Sequence, residues 1–186
     1  MKKQKMSSPN DVIQLVKLCQ KGEKEGFSQL VDSYSSRLYG YFYRLTGNRD
    51  DSNELLSELF LKIVEKIGTC WPETFNAWLF KMASNLFMDY IRAKKRHEKM
   101  LDQMAKEVQT EIQSLPAGDY MTDKLTRQLQ RLDAETAEII VMRYYSGLSF
   151  EELAKIRKEP LGTCLSKVHR GLKRLRQLME NSDDRI

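Results

Sequence analysis

Apolar residues recur three and four positions apart along almost the whole chain, the spacing of helices that bury one face. In "DVIQLVKLCQKG", Val12, Leu15, Val16 and Cys19 share such a face, and Gly22 supplies a stop. "FSQLVDSYSSRLYGYFYRLTGN" places Phe27, Leu30, Val31, Tyr34, Leu38, Tyr41, Phe42 and Leu45 inwards before a Gly47-Asn48 turn. "DDSNELLSELFLKIVEKIG" starts acidic, where the helix dipole favours carboxylates, and closes at Gly68. "TFNAWLFKMASNLFMDYIRAKKR" is expected to begin at a Thr74 cap and runs from an apolar-aromatic stretch into a basic end. By spacing, Trp78, Phe80 and Phe87 fill the bundle. Strand-like alternation does not appear, so the fold class is all-α.

The pattern loosens after His97. "HEKMLDQMAKEVQTEIQSLPAGDYMTD" has scattered apolar residues and a Pro116–Gly118 break, and reads as a linker, helical at first and then mobile. Firm periodicity resumes in "KLTRQLQRLDAETAEIIVMRYYSG", with Asp133 as a cap and Gly147 as a stop. The expected organisation is a helical bundle over residues 10–97, a linker over 98–122 and a smaller helical domain over 123–180.

That last domain holds the most informative stretch, "GLSFEELAKIRKEPLGTCLSKVHRGLKRLRQLM". Ser149 and Glu152 form a capping box that starts a short helix with Phe150, Leu153 and Ala154 facing in. Pro160 suits the first position of a new helix. Leu161, Cys164, Val168, Leu172 and Leu175 then make one buried stripe, with Thr163, Ser166, Lys167, Arg170 and Arg174 opposite. Hydroxyls near a helix start can approach base edges, while Lys and Arg reach guanines or phosphates. In a helix-turn-helix the start of the second helix enters the major groove. A solvated charged face remains the competing reading, and His169 and Cys164 read as surface and core residues.

Composition narrows these options only modestly. Charged residues at 31%, a net charge of +5 and 41% hydrophobic residues describe a helical chain that can hold cores and meet a polyanion. Cys19, Cys70 and Cys164 stand far apart with no CxxC pair, so no metal site or cofactor is expected, and a reducing compartment fits. The basic start lacks the apolar run of a signal peptide, and no segment reaches the length of a membrane span, which points to the cytoplasm. No P-loop or catalytic triad is present, so no enzyme activity is expected.

Two blocks together carry a family resemblance. "GNRDDSNELLSELFLKIVEKI" followed by "FNAWLFKMASNLFMDYIRAKKR" resembles region 2 of extracytoplasmic-function (ECF) sigma factors of bacterial RNA polymerase. "LDAETAEIIVMRYYSGLSFEELAKIRKEPLGTCLSKVHRGLKRLR" resembles their region 4. The resemblance implies a transcription initiation factor that binds core polymerase at the beta-prime coiled coil and beta flap. It also implies recognition of minus-thirty-five and minus-ten promoter elements and control by an anti-sigma protein.

It carries over to particular positions. Glu54, Leu55, Ser57, Glu58 and Phe60 would face polymerase, with Glu54 and Ser57 standing where the family usually has Asp and Gln. In relatives a short loop around "ASNLF" forms a pocket for a flipped minus-ten base, and Asn85 is the candidate reader of its edge. Its alternative is a polar residue capping a helix break. Arg92, Lys94, Lys95 and Arg96, with Lys81, would neutralise minus-ten phosphates. Relatives usually have Gly in the middle of the turn before Pro160; keeping that backbone here forces Lys158 into a left-handed conformation. Two rivals are a free-standing helix-turn-helix regulator and a protein-binding helical adaptor. Neither needs the acidic helix paired with the "FNAWLF" block.

Overall fold

The computed structural model describes residues 9–104 and 120–183, and among them every regular element is helical. The order is α1 (Pro9–Gln20), α2 (Lys24–Thr46), α3 (Arg49–Lys66), α4 (Phe75–Met104), α5 (Tyr120–Leu129), α6 (Ala134–Ile140), α7 (Phe150–Arg157) and α8 (Leu161–Asp183). Short 3-10 turns at Ile67–Thr69 and Pro72–Thr74 connect α3 to α4, and a π-helical segment, Val141–Tyr145, extends α6. The mobile part of the expected linker lies outside the described residues; α4 continues through Met104 and α5 starts at Tyr120.

Local chemistry explains the ends. Gly47 at φ 65° donates its N–H to the Tyr43 carbonyl and closes α2. Asn48 then caps α3, its side-chain oxygen accepting from the N–H groups of Asp50 and Asp51 at 2.8 and 3.1 Å. Asp133 caps α6 by accepting from the Thr136 N–H, and both bonds of the Ser149/Glu152 capping box are formed. Thr74 does not cap α4: its hydroxyl donates to the Trp71 carbonyl and closes the preceding turn. Pro160 precedes α8, with its carbonyl accepting from Thr163 and Cys164.

The helices α1–α4 surround fully buried Leu38, Tyr41, Phe42, Leu59, Ile63, Phe75, Leu79, Phe80 and Phe87. Tyr41 meets the Phe80 ring edge-on at a centroid distance of 5.5 Å. The Gln20 amide donates to the carbonyls of Ile67 and Cys70, fastening α1 to the α3–α4 connection. Around α5–α8 the core is Ile139, Met142, Leu153, Cys164, Val168 and Leu175. Two residues assigned inwards by spacing are exposed, Val31 and Leu161. The three cysteines are buried free thiols, and burial pushes those of Cys19 and Cys70 up to about 11.

The two groups of helices pack directly on each other along α2. Arg37 donates to the Ser146 carbonyl, and Arg44 lies over the Tyr145 ring at 3.8 Å. Gly40 leaves space for the Tyr145 hydroxyl; a Cβ there would sit 1.9 Å from it. Tyr41 donates to Glu138 at 3.0 Å, and Arg157 donates to the same carboxylate at 2.8 Å. Arg157 also reaches Glu135 at 3.0 Å, and Glu159 accepts from Lys167 at 2.7 Å. The unusual Arg157-Lys158-Glu159 turn is thus an ion cluster that joins the α5–α8 end of the chain to α2.

Lys158 adopts φ 55° and ψ 41°, and among the described residues no other non-glycine has a positive φ. Its N–H still closes α7 on the Ala154 carbonyl. An L-residue pays about 1–2 kcal/mol for this conformation. Lys158→Gly is therefore expected to raise unfolding free energy by about 1 kcal/mol, part of the gain being lost to unfolded-state entropy. A urea titration checks this; an unchanged or lowered midpoint would mean that the turn carries no strain.

Candidate nucleic-acid interface

Helix α8 sorts its residues by phase. Cys164, Val168, Leu175 and Leu178 are buried. Ser166, Arg170 and Arg174 are exposed, while Thr163 and Lys167 are half-buried. Lys167 is drawn to Glu159 at 2.7 Å and Glu135 at 3.6 Å, so it braces the turn rather than pointing outwards. The open side belongs to Gly162, Leu165, Ser166, His169, Arg170 and Lys173, all exposed. An open concavity of about 840 Å³ lies over this side, lined by Gly162, Thr163, Leu165, Ser166, His169 and Arg170. Helical spacing alone puts Leu161 in the buried stripe and leaves His169, Lys173 and Leu165 out of the reading face. Their phase is the signal for them: Leu165 adjoins Ser166, His169 follows one turn on and Lys173 two turns on.

Helix α4 corrects a second expectation. Ala83–Phe87 is not a loop, and Asn85 caps no helix break; the segment lies mid-helix, with Ala83, Ser84, Leu86 and Phe87 buried and Asn85 exposed. Lys81, Asn85, Arg92 and Arg96 fall on one exposed helical side, four and seven residues apart. Arg92 is paired with Asp89 on the surface. Lys94 turns to the other side, over the Tyr90 ring at 5.8 Å. Lys94 and Lys95 line a cleft of about 400 Å³ between α2/α4 and α5/α6, floored by Leu45, Phe87, Leu129 and Ala137.

Tyr90 is not a free stacking surface, because its hydroxyl donates to Asp51 at 2.6 Å. Burial, and then the Asp51 carboxylate, push its phenol well above the usual range. The exposed aromatic of this half is Trp71, 76% accessible in the connection before α4. Its flanking Cys70 and Pro72 mark a turn, which is the feature that distinguishes it from core aromatics.

On α3, Glu54, Ser57 and Glu58 are exposed, but Leu55 is buried and Phe60 half-buried against the core. Leu55 can therefore support this face only from beneath. The Ser57 hydroxyl donates to the Asn53 carbonyl at 2.9 Å, and Glu58 pairs with Lys62 at 3.2 Å. Further along the same helix Leu61 and Val64 are 66% and 55% exposed. The acidic start thus passes into an apolar patch that helical spacing alone does not single out. Such a combination suits a protein partner. Among the described residues no His, Cys, Asp and Glu group could hold a metal, and no helix is long and apolar enough to cross a membrane.

Comparisons with known proteins agree with this layout. Residues 30–97 match the family model "Sigma-70 region 2", and residues 122–175 match "Sigma-70, region 4". The ECF RNA polymerase sigma factor SigE of Mycolicibacterium smegmatis is 31% identical over 82% of this chain and 61% of its own length. BldN of Streptomyces coelicolor is 30% identical over 90% and 66%. The chain thus spans less than two thirds of these two relatives. SigW of Bacillus subtilis is 27% identical over 89% of this chain and 95% of its own length. In fold, the chain resembles CnrH, solved with the cytosolic domain of CnrY, at a TM-score of 0.68, 20% identity and coverage of 91% and 97%. It also resembles RpoE of Bartonella quintana, solved with the anti-sigma factor NepR, at 0.66, 23% identity and coverage of 92% and 98%. An acidic helix, a basic-striped helix and a helix-turn-helix, in this order and under these two matches, mark the chain as a member of the extracytoplasmic-function branch of the sigma-70 family.

Proposed function

We propose that the chain is an alternative sigma factor that binds core RNA polymerase, recognises two promoter elements and promotes strand opening. The observation that carries this is the exposure, in one chain, of the α3 acidic-apolar face, the α4 basic stripe and the open side of α8. Residues 10–97 form the region 2 unit, 98–122 the linker and 123–180 the region 4 unit. Glu54, Ser57 and Glu58, continued by Leu61 and Val64, meet the beta-prime coiled coil, while region 4 meets the beta flap.

Ser166 and Arg170 reach base edges of the minus-thirty-five duplex, with Thr163 and Arg174 on adjacent phosphates. Lys81, Arg92 and Arg96 follow the minus-ten backbone, and Asn85 offers a donor and an acceptor to an unstacked base. Lys94 and Lys95 add positive charge along the α4 end.

The chain performs no covalent step. Unstacking a base costs a few kcal/mol, offset by contacts available only in the open strand. Joining both readers on one polymerase raises the effective concentration of the second contact. The relatives solved with anti-sigma proteins support a similar protein inhibitor here, and promoter binding places the chain in the cytoplasm.

The test is capture by purified core polymerase followed by transcription from a genomic promoter library. Arg170→Ala is expected to lower promoter use by about 1–3 kcal/mol, roughly five- to 150-fold, with polymerase capture unchanged. Absence of a complex even at low salt overturns the proposal. Loss of both readouts in Arg170→Ala would assign Arg170 to folding.

A further inference from the structure

Leu165 is an odd residue to find on the open side of α8. It lies in the second turn, 43% exposed, outside the core cluster and on the wall of the concavity that also holds Ser166 and Arg170. Gly162, one turn earlier, has open space where a Cβ would point, so among the described residues nothing crowds the Gly162 side of the leucine. Its neighbours in the concavity, Thr163, Ser166, His169 and Arg170, all carry hydrogen-bonding groups.

Resting on the promoter reading above, this side of the helix start faces base edges in the major groove. Those edges present nitrogen and oxygen donors and acceptors, with one apolar group among them, the 5-methyl of thymine. A leucine pressed against amide, carbonyl or phosphate groups would strip their water and return no hydrogen bond. Pressed against a methyl group, it removes apolar surface of both partners from water.

We infer that Leu165 is a specificity-determining residue that selects a thymine in the minus-thirty-five element by packing on its 5-methyl group. The selected pair lies beside the one reached by Ser166 or Arg170, since these side chains share one concavity. Ser166 and Arg170 supply hydrogen bonds and Leu165 adds a shape test that hydrogen bonding cannot make.

Deoxyuridine removes only this methyl and keeps Watson–Crick pairing. A promoter recovered from the genomic library is resynthesised with each minus-thirty-five thymine, on either strand, replaced singly by deoxyuridine. Binding by the holoenzyme is then measured for the natural chain and for Leu165→Ala. One replacement is expected to weaken the natural holoenzyme about fourfold, the worth of one buried methyl. Leu165→Ala should bind the natural promoter about fourfold or more weakly and be indifferent to that same replacement.

The inference is overturned if no position is sensitive, if the sensitivity persists in Leu165→Ala, or if the recovered element contains no thymine. It also falls if Leu165→Ala loses core polymerase capture, which would make the residue a protein contact. Failure of the broader reading looks different: the natural chain would then direct no promoter-specific transcription from the library. Circular dichroism of Leu165→Ala confirms that an exposed truncation leaves the helices intact.

Discussion

Arg157→Ala is expected to lower the unfolding free energy by about 3–5 kcal/mol, because it strands a carboxylate in the core. Glu138 has no accessible surface, and Arg157 holds it at 2.8 Å with only 8% of its own side chain exposed. Burial already pushes the Glu138 carboxyl above its ordinary range, against the lowering influence of Ser84, Arg157 and Tyr41. Without the guanidinium that upward push has less to oppose it. Glu138→Gln should be milder, since a neutral amide can still accept from Tyr41 and Arg157 keeps Glu135 at 3.0 Å.

The pH dependence follows from the direction of the shift. A carboxyl whose folded pKa is raised binds its proton more tightly in the folded state, so its penalty is relieved as pH falls through that pKa. The deficit of Arg157→Ala should therefore shrink between pH 8 and pH 5. Urea titrations at the two pH values measure it. A loss under 1 kcal/mol, or one independent of pH, would mean that Glu138 is hydrated rather than buried against Arg157.

The same cluster shows where sequence reading reached and where it stopped. Asn48, Asp133 and the Ser149/Glu152 pair act through atoms two or three residues away, so their roles are visible in a short window. The left-handed Lys158 could also be anticipated, because a turn template fixes backbone geometry locally. What Arg157 and Glu159 do there could not, since Glu138 and Tyr41 are 19 and 116 positions from Arg157 along the chain. Lys167 was assigned to DNA by its place on a helical wheel, and only the fold reveals Glu135 and Glu159 beside it.

The "ASNLF" error has a local cause. No glycine or proline interrupts Ala83–Phe87, and Leu79, Ala83, Leu86 and Phe87 hold their helical register in the core. The breakers stand upstream, at Gly68 and Pro72, where the chain does turn and Trp71 is exposed. Leu161 was misplaced for another reason. Its spacing is right for the buried stripe, but at the very start of α8 it is 42% exposed, while Cys164, one turn on, is fully buried.

Linking α2 to the π-helical segment is expected to suppress promoter-dependent transcription by about 100-fold or more, the advantage lost when a second tethered contact is forbidden. With Arg37 on Ser146, Arg44 over Tyr145 and Tyr41 on Glu138, the two units form one body. A compact chain of 186 residues has a radius of gyration of about 16 Å and a breadth of about 40 Å. The centres of minus-ten and minus-thirty-five elements are nominally about 25 base pairs apart, or about 85 Å of duplex. Under the proposed function, α4 and α8 cannot reach both while Gly40 and Tyr145 stay in contact. Cysteines at the half-buried positions 44 and 145, joined by a short cleavable bismaleimide, would hold them together; Cys19, Cys70 and Cys164 are buried and out of reach of the reagent. The linked chain should bind minus-thirty-five duplex yet fail on the whole promoter, and cleavage of the linker should restore transcription. Full activity of the linked chain would show that the contact along α2 survives promoter engagement. In that case the two elements must be brought together by bending the DNA, and not by parting the protein.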